Sequence, residues 1–136
     1  MAVKLFYFAR KVSFLPPLRR FLEWILRYFC GIEISAKMQC GVGLQLPHNG
    51  LGGVIHPNTI IGDNVKILHN VTIGGRSGSG LPIIGNNVEI GAGAVLLGDI
   101  KIGENAQIGA NAVVLCDVPE NTIAVGVPAA IKQKKR

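Results

Sequence analysis

The chain is poor in charge, and its aromatic residues are missing from most of its length. Only 16% of its 136 residues are charged, and all eight aromatics (Phe6, Tyr7, Phe8, Phe14, Phe21, Trp24, Tyr28 and Phe29) lie in the first thirty. A core formed beyond residue 30 must therefore be aliphatic. No apolar run reaches the roughly 18–20 residues that cross a bilayer. No small-residue cleavage site follows the apolar leader, which argues against a cleaved signal. The three cysteines, Cys30, Cys40 and Cys116, have no metal or redox spacing, and their odd number argues against a disulfide framework. They read as small buried hydrophobes in a reducing compartment. With 49% apolar residues the chain can bury a sizeable core, which argues against disorder. Its length suits one domain with a short appendage.

What charge there is sits at the ends. Residues 1–30 carry six Lys/Arg against one Glu, residues 31–131 carry four against seven acids, and residues 132–136 add four more cations. Basic ends suit nucleic acid, an anionic membrane face or a phosphorylated cofactor. No nucleic-acid-binding module accompanies them, so nucleic acid is not the expected partner.

Glycine is abundant, at 18 residues, and it recurs with a beat. From Ile84 to Val118 an aliphatic residue opens every sixth position, and a small or branched one follows four places later (Val88, Ala94, Ile100, Ala106, Ala112, Val118). Six residues suit one short strand and a tight turn, three to each coil of a parallel β-helix. Corners need positive φ, which Gly and Asn tolerate, as at Gly62-Asp63-Asn64, Gly85-Asn86-Asn87 and Gly103-Glu104-Asn105. The same beat runs through Ile34, Cys40 and Leu46, then Ile55, Ile61, Ile67 and Ile73. Thirteen units result, a little over four coils, giving a β-helix over residues 31–131, an amphipathic helical segment at 1–30 and a basic tail at 132–136.

Within residues 1–30, Leu18, Phe21, Leu22, Ile25, Leu26 and Phe29 keep helical spacing among Arg19, Arg20, Glu23 and Arg27, after an interruption at Pro16-Pro17. Two readings stay open: a cap over the end of the solenoid that helps subunits associate, or a basic amphipathic segment resting on the cytoplasmic membrane face. Two insertions break the beat, one holding His48 and one running from Gly74 to Pro82. Loops on a rigid scaffold carry function.

The repeats, Leu46-Pro47-His48-Asn49-Gly50, the segment from Ile67 to Gly75 and the closing Val125-Gly-Val-Pro-Ala129 resemble the hexapeptide-repeat acyltransferases, in their serine-acetyltransferase-like branch. The resemblance covers residues 31–132. It implies an all-β solenoid, specifically a left-handed parallel β-helix. It also implies a homotrimer with sites between subunits, acetyl-CoA as donor, a hydroxyl or amine acceptor, and no metal. It places the general base on His48, an orienting carboxylate on Glu33 fifteen residues upstream, and the pantetheine-lining backbone on Gly75, Ala92 and Ala110. Leu81 stands where serine acetyltransferases have a second histidine, and Pro47 where they have Asp. Some thirty residues replace their larger helical domain. A site stripped of two polar groups suits a zwitterionic amino acid poorly. The leader and Leu-Pro-His resemble the branch that O-acetylates sugars in polysaccharide biosynthesis.

Histidine is the natural base near neutral pH. A carboxylate on its second nitrogen would fix its tautomer, and backbone N–H groups in glycine-rich turns could hold an oxyanion. No residue stands out as a nucleophile, so direct attack on the thioester in a cytoplasmic ternary complex is expected. His56 and His69 read as bystanders, His69 facing outward, with room to touch acceptor or cofactor at a subunit interface. Arg76 and the tail lysines read as phosphate contacts or as solvated charge. The alternatives are a small serine acetyltransferase, a zinc enzyme of the γ-carbonic-anhydrase kind and a non-catalytic scaffold. The histidine gaps of eight and thirteen residues argue against the zinc enzyme. His48 and the two loops argue against the scaffold.

Overall fold

The computed structural model describes residues 1–134. The six-residue beat becomes a left-handed parallel β-helix with three faces. The first face stacks Val54–Ile55, Thr72–Gly74, Val95–Leu97 and Val113–Val114. The second stacks Gln39–Cys40, Ile60–Ile61, Ile83–Ile84 and Lys101–Ile102. The third stacks Lys66–Ile67, Glu89–Ile90, Gln107–Ile108 and Thr122–Val125. All of these pairings are parallel and keep like over like, as in Ile61↔Ile84, Ile67↔Ile90 and Ile73↔Leu96.

All thirteen unit-opening residues are buried, none more than 8% exposed. Each contributes on the order of 1.5–3 kcal/mol by leaving water, and the small fifth residues (Ala94, Ala106 and Ala112, all 0% exposed) let the three faces close on one another. The corners between the second and third faces hold Asn64, Asn87, Asn105 and Asn121 at φ from 53 to 58°. Their side chains continue the ladder, Asn105 Nδ2 donating to Asn121 Oδ1 at 3.2 Å.

The helical segment forms α1 (Ala2–Lys11) and α2 (Pro16–Phe29), with Pro16-Pro17 opening α2 rather than merely separating two runs. Prolines fit there because the first helical N–H groups need no partner within the helix. Ala2, Phe6, Leu26 and Cys30 complete the aliphatic core at the column's first coil. Tyr7 Oη donates to Gly41 O at 2.9 Å and accepts from Leu44 N–H at 3.1 Å, and Arg10 Nη1 donates to Met38 O at 2.7 Å. The helices thus cap polar backbone that no further coil covers.

At the other end the boundary expected at residue 131 runs through a strand. Ala130–Gln133 pairs antiparallel with Thr122–Val125, so Lys132 belongs to the sheet. Lys135 and Arg136 of the expected tail lie outside the described residues.

Candidate active site on one edge of the column

The chain runs first face, second face, third face in each coil, so the two insertions leave at different edges. Pro47 to Gly53 joins the third face to the first, and Gly75 to Pro82 joins the first face to the second. In the first insertion His48 (φ 54°) and Asn49 (φ 58°) take left-handed conformations within the short 3-10 turn Pro47–Gly50. Such a conformation costs a non-glycine residue about 1 kcal/mol or more. Asn49 is held by α1, its Oδ1 accepting the Ala2 N–H at 3.3 Å. The helical cap therefore pins the turn that presents His48, whose ring stays exposed.

The same edge continues down the column. His48, His69, Ala92 and Ala110 each lie two residues after an opening aliphatic (Leu46, Ile67, Ile90, Ile108), one coil apart. Backbone hydrogen bonds join these successive corners: Asn70 N–H to Leu51 O at 2.8 Å, Gly93 N–H to His69 O at 3.0 Å and Asn111 N–H to Ala92 O at 2.8 Å. The edge is lined by small side chains below two imidazoles. The His48 and His69 rings stand edge to face with centroids 5.3 Å apart, and His69 Nδ1 is buried without a hydrogen-bond partner. The expectation that His69 simply faces outward is corrected, because a corner residue one coil beyond His48 packs against it. His56 Nδ1 accepts the Asn58 N–H at 3.2 Å and caps its own turn.

The remaining candidates lie elsewhere. Gly75 opens the second insertion, one face-width away from Ala92. Leu81 folds back towards Gly75, and Arg76 is exposed. Glu33 sits on the coil below the His48 loop, its N–H donating to Gly53 O at 2.8 Å. Its carboxylate meets Arg27 Nη1 at 3.7 Å, and no hydrogen bond to His48 is formed among the described residues. Among those residues no group of three metal-ligating side chains gathers.

Comparison with known proteins gives this arrangement a family. Residues 82–116 match the model described as bacterial transferase hexapeptide (six repeats). A serine acetyltransferase of Synechocystis sp. is 50% identical over 117 residues, which cover 84% of this chain and 47% of the relative. The putative colanic acid biosynthesis acetyltransferase WcaB of Escherichia coli is 42% identical over 118 residues, covering 85% of this chain and 72% of WcaB. The crystal structure of Neisseria gonorrhoeae serine acetyltransferase superposes with a TM-score of 0.87 at 37% identity, over 98% of this chain and 52% of that one. A serine acetyltransferase in complex with CoA gives 0.86 at 34% identity, over 96% and 55%. The chain spans about half the length of the serine acetyltransferases it matches. A buried aliphatic beat, three parallel faces and relatives at this identity lead to one conclusion: the chain belongs to the hexapeptide-repeat transferases.

Proposed function

We propose that the protein is an acetyl-CoA-dependent O-acetyltransferase whose acceptor is a sugar hydroxyl of polysaccharide biosynthesis, with His48 as general base. The observation that carries this reading is the exposed His48 imidazole at the head of an edge paved with Ala92 and Ala110. A hydroxyl hydrogen-bonded to His48 gives up its proton to the imidazole as its oxygen attacks the thioester carbonyl. The tetrahedral oxyanion rests on corner N–H groups, one good donor being worth about 3–4 kcal/mol. Collapse expels the CoA thiolate, which takes the proton back from His48 and leaves an acetyl ester on the acceptor. His69 supports the His48 ring from its side. Glu33 is one methylene longer than the Asp of the family pattern, and it acts on His48 only after leaving Arg27.

A homotrimer is part of this reading, and the placement of the loops supports an intersubunit site. Gly75 lies one edge away from His48, Ala92 and Ala110, so a cleft using all four needs the second insertion of a neighbouring copy. The reaction belongs in the cytoplasm, where acetyl-CoA and free thiols are found. Phe14 (75% exposed) and Phe29 (70%) on the cap support contact of residues 1–30 with the inner membrane face; no described helix is long and apolar enough to cross it.

Serine is the rival acceptor, favoured by the 50% identity to a serine acetyltransferase. Leu81 and Pro47 support the sugar instead, since neither offers a polar group to an amino acid. Thiol release from acetyl-CoA, measured with L-serine, nucleotide sugars and polysaccharide repeat units, separates the two. The sugar reading expects turnover with a saccharide and none above background with serine. Preference for serine overturns the acceptor, and no turnover with any hydroxyl compound overturns the activity.

A further inference from the structure

Between α2 and the column's first two coils lies a cavity of about 370 Å³, with Arg20, Trp24, Arg27 and Tyr28 on its helical wall and Glu33 and Pro57 among those opposite. Neither the cap nor the histidine edge accounts for it. The Trp24 and Tyr28 rings stand 5.2 Å apart at 40° and present a broad apolar wall with a polar tip. Such a wall suits the flat C–H face of a saccharide ring. The helix also brings guanidinium groups to the mouth.

The charges there are not all neutralised. Glu23, on the same wall, is used up: it takes Arg19 Nη1 at 2.7 Å, the Ala36 N–H at 2.8 Å and Ser35 Oγ at 3.1 Å. Glu33 meets Arg27 at 3.7 Å with both side chains more than half exposed (54% and 61%, respectively). A pair that open to water holds weakly, and an anion can displace it. Arg20 is exposed and has no carboxylate partner among the described residues. Arg20 and Arg27 both line the cavity, and each guanidinium offers a fork of paired N–H donors to phosphate oxygens.

We propose that this cavity binds a phosphorylated saccharide, its ring against Trp24 and Tyr28 and its phosphate on Arg20 and Arg27. The proposal rests on the sugar reading of the acceptor and names its chemical class. L-Serine would leave most of 370 Å³ empty and would set its ammonium beside two cations. The cavity also adjoins the reactive edge. The Glu33 N–H to Gly53 O bond (2.8 Å) and the Gly53 N–H to Gly50 O bond (2.8 Å) tie its floor to the turn that carries His48. A saccharide held there extends towards that turn, and its phosphate draws Arg27 away from Glu33.

The test uses Trp24, the single tryptophan of the chain, as its own reporter. The full-length protein is titrated with UDP-N-acetylglucosamine, glucose 1-phosphate, N-acetylglucosamine, L-serine and vesicles of anionic phospholipid, following tryptophan emission. Both phosphorylated sugars are expected to change it saturably, the neutral sugar and serine to leave it flat. Arg20→Ala and Arg27→Ala should each weaken binding at least tenfold, and Arg20→Lys by an intermediate factor, since it keeps the charge and loses the fork. Equal binding by serine or the neutral sugar, or unchanged binding by both alanine variants, overturns the proposal. So does a response to vesicles with none to either phosphorylated sugar, which would assign the aromatic wall to a membrane surface. The readout is binding, so turnover restricted to serine would refute the sugar acceptor without altering these titrations.

Discussion

Replacing His48 by alanine tests the reactive edge most directly, because its effects on rate and on stability separate. The imidazole is exposed and makes no hydrogen bond among the described residues, and its neighbour is the His69 ring at 5.3 Å. Alanine inherits the same left-handed backbone at φ 54°, so the strain barely changes. Substitutions at such exposed sites usually move stability by no more than about 0.5 kcal/mol, and the melting temperature should stay within ~2–4 °C of wild type. The rate is another matter. A general base contributes about 10²–10⁴, which is about 2.7–5.4 kcal/mol of barrier at 1.36 kcal/mol per tenfold. The assay is thiol release at saturating acetyl-CoA with the acceptor found in the panel. His69→Ala should cost less, on the order of tenfold, because His69 acts through the His48 ring. If the two form one unit, the double variant should be no slower than His48→Ala alone. A His48→Ala enzyme retaining more than a tenth of the wild-type rate would refute the role of His48. Fully additive losses would refute the coupling to His69.

Other outcomes follow from the same geometry. A Cβ on Gly91 would lie 2.6 Å from Ala110 N and 2.8 Å from Ile108 O, both backbone atoms of the next coil. Gly91→Ala should therefore lower stability by more than about 2 kcal/mol in urea unfolding, whereas Gly78→Ala, at φ 76° with nothing within 4 Å, should cost only about 1 kcal/mol; the reverse order would contradict the stacking register. Asn49→Ala removes the acceptor of the Ala2 N–H and places alanine at φ 58°, for a combined loss of about 2 kcal/mol. Asn49→Gly should lose only part of this, and equal losses would show that the backbone conformation is not the issue. Burial pushes the Cys40 thiol above its ordinary 9.0, against the opposing pull of Arg10. The folded state thus keeps a proton that the unfolded chain releases, so stability is intact below about pH 9 and falls as pH rises through the folded value. A Cys40→Ala variant should lose less stability than wild type over that alkaline range, and identical slopes would contradict the assignment. Cys116 is exposed, contrary to the expectation that all three cysteines are buried, and should react with a thiol reagent in the native protein while Cys40 waits for unfolding.

The column itself was legible because its information is local and repeated. Each opening aliphatic enters the core wherever its unit falls, and each Gly or Asn corner needs only its own φ, so counting in sixes located all thirteen inward residues and both insertions. His48 was legible for the same reason, as the histidine of an insertion. Neighbourhood across coils was set by the three-dimensional winding. Insertions of unequal length shift the sequence distance per coil from 21 to 23 to 18 residues (Leu46, Ile67, Ile90, Ile108), so no constant spacing announces that His69 stands beside His48 above Ala92 and Ala110. Glu33 is a further case: its place fifteen residues before His48 matched a family pattern, yet the docking of α2 brought Arg27 to its carboxylate. The aromatic leader likewise read as cap or membrane segment from its helical spacing. Only the packing of Leu22 and Leu26 turned Trp24 and Tyr28 towards the first coils, where a cavity opens between helix and sheet. Periodicity determines which residues face inward, whereas the meeting of separate elements depends on loop lengths and helix docking, which tertiary packing alone resolves.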